Sequence, residues 1–217
     1  MLEAVIFDMD GVIIDTEPFF LRSEQRLLKM YGHEVPLEYH FQFQGTTHDY
    51  MWQRMKDQYH LEETVPNLIE KANALRHQLI KEEGLETIPG ALELIHHLHQ
   101  EGVPLAIASS SPFKDIKNTV KDFDLEGVFD YLVSGESVAH SKPEPDIFLD
   151  AAANLGVKPE NCLVIEDSKN GVLAGIAAGM KVIGFYNQEF PPQDLSKATK
   201  IVTALNQLNK KEIEKLF

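Results

Sequence analysis

The chain has 217 residues, enough for one large domain or for a core with a smaller companion. A formal net charge of −14 argues against a binder of nucleic-acid backbone, which would be repelled except at a local basic patch, and none is visible. The hydrophobic share of 43% is ordinary for a globular protein, and no apolar run approaches the ~20 residues that span a bilayer.

The first element is the apolar run 5–7, Val-Ile-Phe, which suits a buried parallel strand. It ends in Asp8-Met9-Asp10-Gly11, and side chains two apart on an extended segment point the same way, so Asp8 and Asp10 can face one pocket. Carboxylates so close repel, and either a cation or a retained proton must relieve the repulsion; both remedies belong to phosphate chemistry. An EF-hand loop fits poorly, because Gly11 arrives too early and a strand precedes the loop. Helical periodicity follows over 17–30, 49–59 and 66–83, broken near Gly32, Pro36 and Gly45, with no convincing strand between.

From Ile88 strands and helices alternate: a helix over 90–101, an apolar run 103–108, a helix 112–123 and a short strand around 129–133. A helix over 145–155, strand 162–165, helix 169–178, strand 181–185, a short strand near Ile201 and a final helix from Leu205 complete the series. Ser111-Pro112 reads as an N-cap with proline at the first helical position, and Gly102, Gly156 and Gly179 fall where helices should stop. The alternation predicts an α/β fold with a Rossmann-like parallel sheet, formed by 1–15 and 87–217. An all-helical insertion over 16–86, read as a cap, follows the first strand, with hinges near Asp15 and Glu86.

Cys162 has no second cysteine to pair with, and the N-terminus carries acids at Glu3, Asp8 and Asp10 rather than a basic leader. A soluble, cytoplasmic protein is expected, monomeric by default, with no nucleic-acid or membrane partner. Lys210, Lys211 and Lys215 sit among acids and read as a solvated face; so do His96, His97 and His99, which lack a completing carboxylate. Met51, Trp52 and Met55 read as core of the insertion, and 185–190 as a loop without an assigned role.

Ligands of open α/β sheets bind at the carboxyl ends of the strands. Four such places carry polar groups: Asp8 and Asp10; Ser109, Ser110 and Ser111 ahead of a helix; Ser141-Lys142-Pro143; and Glu166, Asp167 and Ser168 at another helix start. Singly, each reads as a cap, a solvated lysine or a complement to a helix dipole. Gathered in one pocket they would supply a nucleophile, a metal site and phosphate-binding groups, the inventory of phosphoryl transfer.

With these residues in order, the chain resembles the phosphatases of the haloacid dehalogenase superfamily, in the branch similar to β-phosphoglucomutase. Motif one is Asp8-Met9-Asp10-Gly11-Val12, motif two Ser109, motif three Lys142 within Ser-Lys-Pro-Glu-Pro-Asp, and motif four Glu166-Asp167-Ser168. The resemblance implies that Asp8 attacks phosphorus to form an aspartyl-phosphate, while Asp10 serves as general acid and then base. It implies Mg²⁺ held by Asp8, the Asp10 backbone carbonyl and Asp167, with Glu166 a direct or water-mediated ligand. Ser109, the Ser110 N–H and Lys142 would hold the phosphoryl oxygens, each contact contributing about 3 kcal/mol by analogy with oxyanion-hole donors.

Departures from that pattern bear on the reaction. Phe20 stands where the sugar-phosphate mutases carry a cap-hinge histidine, and a hydrocarbon ring relays no proton. His48 stands where their cap carries a phosphate-binding arginine, and Lys71 aligns with a cap lysine. Water is therefore the expected acceptor, and Asp10 argues against dehalogenation. The expected function is Mg²⁺-dependent hydrolysis of a small phosphorylated metabolite, a sugar phosphate in class. A phosphomutase of the β-phosphoglucomutase type is the alternative enzyme, and a catalytically idle regulatory or binding protein the alternative of another class.

Overall fold

The computed structural model describes residues 1–43 and 46–217, so the expected break at Gly45 lies outside the described residues. The chain divides into two compact units, Met1–Ile14 with Thr87–Phe217, and Asp15–Glu86.

The larger unit is built on a six-stranded sheet in the order β3-β2-β1-β4-β5-β6. The strands are β1 (Ala4–Phe7), β2 (Leu105–Ser109), β3 (Tyr131–Ser134), β4 (Cys162–Glu166), β5 (Lys181–Phe185) and β6 (Lys200–Val202), all pairing in parallel. This is an α/β, Rossmann-like sheet. β1, β2 and β4 are buried along their whole length, as strands covered on both faces must be, which is why they read as unbroken apolar runs. Ile6, Ala106 and Val164 share a core cluster with Phe148 and Ala151 of α6 (Asp146–Leu155) and Val172 of α7 (Lys169–Ala177).

The chain steps outward from β1 to β3 and then returns to place β4 on the other side of β1. The crevice of such a sheet opens where the strand order reverses, at the carboxyl ends of β1 and β4. Register makes those ends level: Phe7 pairs with both Ile107 and Ile165, so Asp8 and Glu166 emerge side by side. The Asp8 N–H donates to the Ile165 carbonyl at 2.9 Å, carrying the pairing one residue past β1.

The smaller unit holds α1 (Glu17–Met30), α2 (His48–Tyr59) and α3 (Val65–Glu83), without a strand among its described residues. Thr47 and Thr64 cap α2 and α3 by accepting from Tyr50 N and Asn67 N, and proline in the first turn of α3 needs no hydrogen bond there. Leu27, Leu28, Trp52, Met55, Leu68 and Ala72 form its core. A 3-10 segment, Leu37–Phe43, was not legible in the periodicity; it carries His40, whose Nδ1 lies 3.0 Å from the Glu24 carboxylate in the interior. No described helix is long and apolar enough to cross a membrane.

Two local expectations need correction. After α4 (Ala91–Gln100), α5 spans Phe113–Asp122, so Pro112 rather than Ser111 occupies the N-cap and its carbonyl accepts from Asp115 and Ile116. Ser111 turns its hydroxyl to Asp10 instead. The final helix also does not begin at Leu205: a 3-10 turn, Leu205–Gln207, precedes α8 (Lys210–Glu214). Leu205, Leu208 and Ile213 are spaced like one helical face, but Asn209 accepts from Glu212 N at 3.0 Å and so starts a new helix between them.

Candidate active site

Everything at this site lies within the larger unit. β1 delivers Asp8 into the crevice, buried, and the turn after it folds back through three N–H groups, of Val12, Ile13 and Ile14, that all point at the Met9 carbonyl. Gly11 lies in that turn at φ +79°, where a side chain is disfavoured. A Cβ there would lie 2.3 Å from Asp167 Oδ2, so the glycine also makes room for a carboxylate arriving from β4.

Lys142 closes the site from the loop between β3 and α6. Its ammonium is buried and has three donors, and all three find oxygen: Asp8 Oδ1 at 2.5 Å, Glu166 Oε1 at 2.9 Å and the Ala108 carbonyl at 3.1 Å. The Phe148 ring lies beneath it, 4.9 Å from ammonium to centroid. Residues 134 apart in sequence thus form one ion pair.

Glu166 is held as tightly. While Oε1 accepts from Lys142, Oε2 accepts from the Ser168 N–H at 2.6 Å and the Ser168 hydroxyl at 2.9 Å. The carboxylate lies over the first turn of α7, against the bare Cα of Gly171, where a Cβ would sit 1.6 Å from Oε1. The sequence does not show that Gly171 and Ser168 hold Glu166 in place. A glycine three residues into a helix is a weak signal taken alone.

The hydroxyl cluster lies at the end of β2. Ser109, fully buried, donates to Asp10 Oδ2 at 3.2 Å and accepts from the Ser111 N–H at 3.0 Å; Ser111 donates to the same Asp10 oxygen at 2.6 Å. Ser110 is exposed beside them. Asp8, Asp10, Ser109, Ser110, Lys142, Glu166 and Asp167 therefore gather at one end of the sheet.

Burial raises the Asp8 carboxyl well above its ordinary range; Lys142 pulls it down, Glu166 and Asp10 push it up, and the balance lies at about 8. Burial would lower Lys142, but the carboxylates of Asp8 and Glu166 outweigh it and hold the ammonium above its usual range. One ammonium shared between the Asp8 and Glu166 carboxylates, with Asp10 and Asp167 close by, leaves the site short of positive charge. Ligand oxygens of Asp8, Glu166 and Asp167 lie within 4.8 Å of one another, an all-oxygen set that fits a hard divalent cation.

The other candidates lie in the smaller unit. Phe20 and His48 stack with centroids 5.5 Å apart, and Lys71 is not with them: it bonds Glu63 at 2.5 Å and Tyr31 at 2.9 Å. The cation over Phe20 is Arg76, 4.0 Å from the ring centroid and buried. Its place was readable in principle, since Leu68, Ala72, Arg76 and Leu79 follow the buried stripe of α3.

Residues 5–185 match the family described as haloacid dehalogenase-like hydrolases. The chain belongs to that family. It is 34% identical over 206 residues to a Drosophila melanogaster protein named "Probable pseudouridine-5'-phosphatase", covering 92% of this chain and 88% of the relative. With the phosphorylated carbohydrates phosphatase of Thermotoga maritima it shares 32% identity over 182 residues, 84% of each chain. The crystal structure of β-phosphoglucomutase from Clostridium difficile superposes with a TM-score of 0.81 at 28% identity, covering 100% of this chain and 97% of that one. Family membership and these relatives together make the chain a phosphoric monoester hydrolase of the haloacid dehalogenase type.

Proposed function

We propose that the protein is a Mg²⁺-dependent phosphatase that hydrolyses a small phosphorylated metabolite, a sugar phosphate in class, through an aspartyl-phosphate on Asp8. The observation that carries the reading is the buried Lys142 ammonium bonded to Asp8 and Glu166, which makes sense where an anionic nucleophile and an anionic substrate must share one cleft. The relatives named for phosphorylated carbohydrates and for pseudouridine phosphate support a small phosphorylated metabolite as substrate.

A carboxylate oxygen of Asp8 attacks phosphorus, the phosphorus–oxygen ester bond breaks, and Asp10 gives its proton to the departing alcohol. Asp10 then takes a proton from water, which attacks the aspartyl-phosphate, freeing phosphate and restoring Asp8. Ser109 and the Ser110 N–H hold the phosphoryl oxygens, joined by Lys142 when it exchanges one of its three present bonds for a phosphoryl oxygen. Asp8, Asp167 and the Asp10 carbonyl would hold Mg²⁺, with Glu166 a direct or water-mediated ligand. The cation, when bound, neutralises charge shared by the nucleophile and the phosphoryl group. Residues 16–86, inserted between the first two strands, serve as the cap, and the larger unit as the catalytic core.

A phosphomutase is the second reading, favoured by the likeness to β-phosphoglucomutase. Phe20 speaks against it, since its ring, in contact with His48 and Arg76, cannot move a proton for a sugar hydroxyl. A panel of phosphorylated metabolites with Mg²⁺, read as phosphate release, tests the proposal. Turnover of p-nitrophenyl phosphate should vanish on chelation and in Asp8→Asn; unchanged turnover in Asp8→Asn would remove the nucleophile. Glucose-phosphate interconversion without phosphate release would favour the mutase.

A further inference from the structure

We propose that Ser111 is a positioning residue that aims the Asp10 carboxyl, and that it does so independently of Ser109. The inference rests on Asp10 as the acid of the proposed reaction. Both hydroxyls donate to one oxygen, Asp10 Oδ2, but they differ in length and in what else they must do: 2.6 Å from Ser111 against 3.2 Å from Ser109. A hydroxyl carries one proton. When Ser109 turns its proton toward a phosphoryl oxygen, its contact with Asp10 ends, and the Ser111 bond to Oδ2 persists.

The backbone of Ser111 is built for constancy. Its N–H donates to Ser109 Oγ at 3.0 Å, and its carbonyl accepts from the buried Ser134 hydroxyl at 2.7 Å. Ser134 Oγ accepts in turn from Glu136 N at 3.1 Å, and Glu136 Oε2 accepts from Phe113 N at 2.9 Å, two residues past Ser111. Gly135 packs against the Cα of Ser110, where even a methyl group would sit at 3.2 Å. The end of β3 therefore clamps the loop after β2 from both sides of Ser111. An N-cap serine needs no such frame, and Ser111 is not one: α5 starts beyond Pro112. With Oδ2 anchored, Oδ1 is the Asp10 oxygen that passes its proton to the leaving alcohol.

Leaving-group dependence tests this. p-Nitrophenolate departs without a proton, whereas an alkoxide needs one. Wild type, Ser111→Ala, Ser111→Thr and Asp10→Asn are compared by kcat/KM on p-nitrophenyl phosphate and on the sugar phosphate that wild type hydrolyses fastest. Ser111→Ala should lose about 10- to 100-fold on the sugar phosphate and less than about threefold on p-nitrophenyl phosphate, mostly in kcat, and Ser111→Thr should recover the difference. Equal losses on the two substrates, or none, would overturn the positioning role. If Asp10→Asn shows the leaving-group split and Ser111→Ala does not, Ser111 fails while the phosphatase reading stands; if Asp10→Asn shows no split, Asp10 is not the acid and the reading beneath is at fault.

Discussion

Replacing Gly171 by alanine isolates the support under Lys142 without touching a charged group. The new Cβ would stand 1.6 Å from Glu166 Oε1 and 1.8 Å from its Cδ, where side-chain carbons essentially never come within 3.0 Å. The carboxylate must retreat by more than an ångström, and a shift of that size breaks both the 2.9 Å bond from Lys142 and the 2.6 Å bond from Ser168 N. Two opposite effects then decide the sign. Alanine favours the α7 helix over glycine by about 1 kcal/mol. Parting a buried ion pair costs about 3 to 5 kcal/mol, taken here at the low end because Lys142 keeps Asp8 and the Ala108 carbonyl. The net is a loss of about 2 kcal/mol in urea unfolding, with turnover down about 100-fold as the ammonium loses one of its three anchors. A double-mutant cycle with Glu166→Ala separates the clash from any helix effect: once the carboxylate is gone, the alanine should add no further loss. A Gly171→Ala protein with wild-type stability and turnover would refute the argument that Glu166 steers Lys142.

Three further outcomes follow from the same geometry. Lys142→Met leaves Asp8 and Glu166 facing each other without their cation; unfolding should show a loss of about 3 to 5 kcal/mol, and p-nitrophenyl phosphate turnover should fall by at least 100-fold. Gly11→Ala adds both the strain of a side chain at φ +79°, about 1 to 2 kcal/mol, and a Cβ 2.3 Å from Asp167 Oδ2; Mg²⁺ affinity by calorimetry should drop about tenfold or more. Because the Asp8 carboxyl is raised to about 8 in the metal-free site, it is protonated below that pH, and a binding cation must expel the proton. Mg²⁺ affinity should then rise about tenfold per pH unit up to pH 8 and level off above it, with matching proton release between buffers of different ionisation enthalpy; an affinity flat from pH 6 to 8 would contradict this.

The elements that sequence displayed well are those whose environment is uniform along the strand or helix. β1, β2 and β4 are buried on both faces, so each is an apolar run that ends where the polar crevice begins, and Asp8, Ser109 and Glu166 stand at those ends. Parallel order does the rest, for it brings every such end to one side of the sheet, and Lys142 arrives there from 134 residues away. The same reasoning fails wherever a side chain chooses between a local and a distant partner. Ser111 followed by proline looks like a helix cap, and only the placement of Asp10, 101 residues earlier, turns its hydroxyl elsewhere. Gly171 carries no side chain to interpret; what makes it indispensable is the volume taken by Glu166.

This division has a consequence for how such a site tolerates change. Apart from Lys142, which comes from the loop between β3 and α6, the groups that would meet a phosphate stand at strand ends, where the sheet sets their position through backbone register. The groups that orient them sit in the loop after β2, at the end of β3 and in the first turn of α7: Ser134 holds Ser111 and Ser111 holds Asp10, while Ser168 and the space above Gly171 hold Glu166. A substitution at a strand end removes a reacting group and should abolish turnover. A substitution in the supporting loops leaves every reacting group present but misdirected, so its effect should depend on how much proton transfer or charge stabilisation a given leaving group demands. Comparing activated and unactivated phosphate esters across both sets of variants therefore distinguishes the chemistry of this site from the scaffold that aims it.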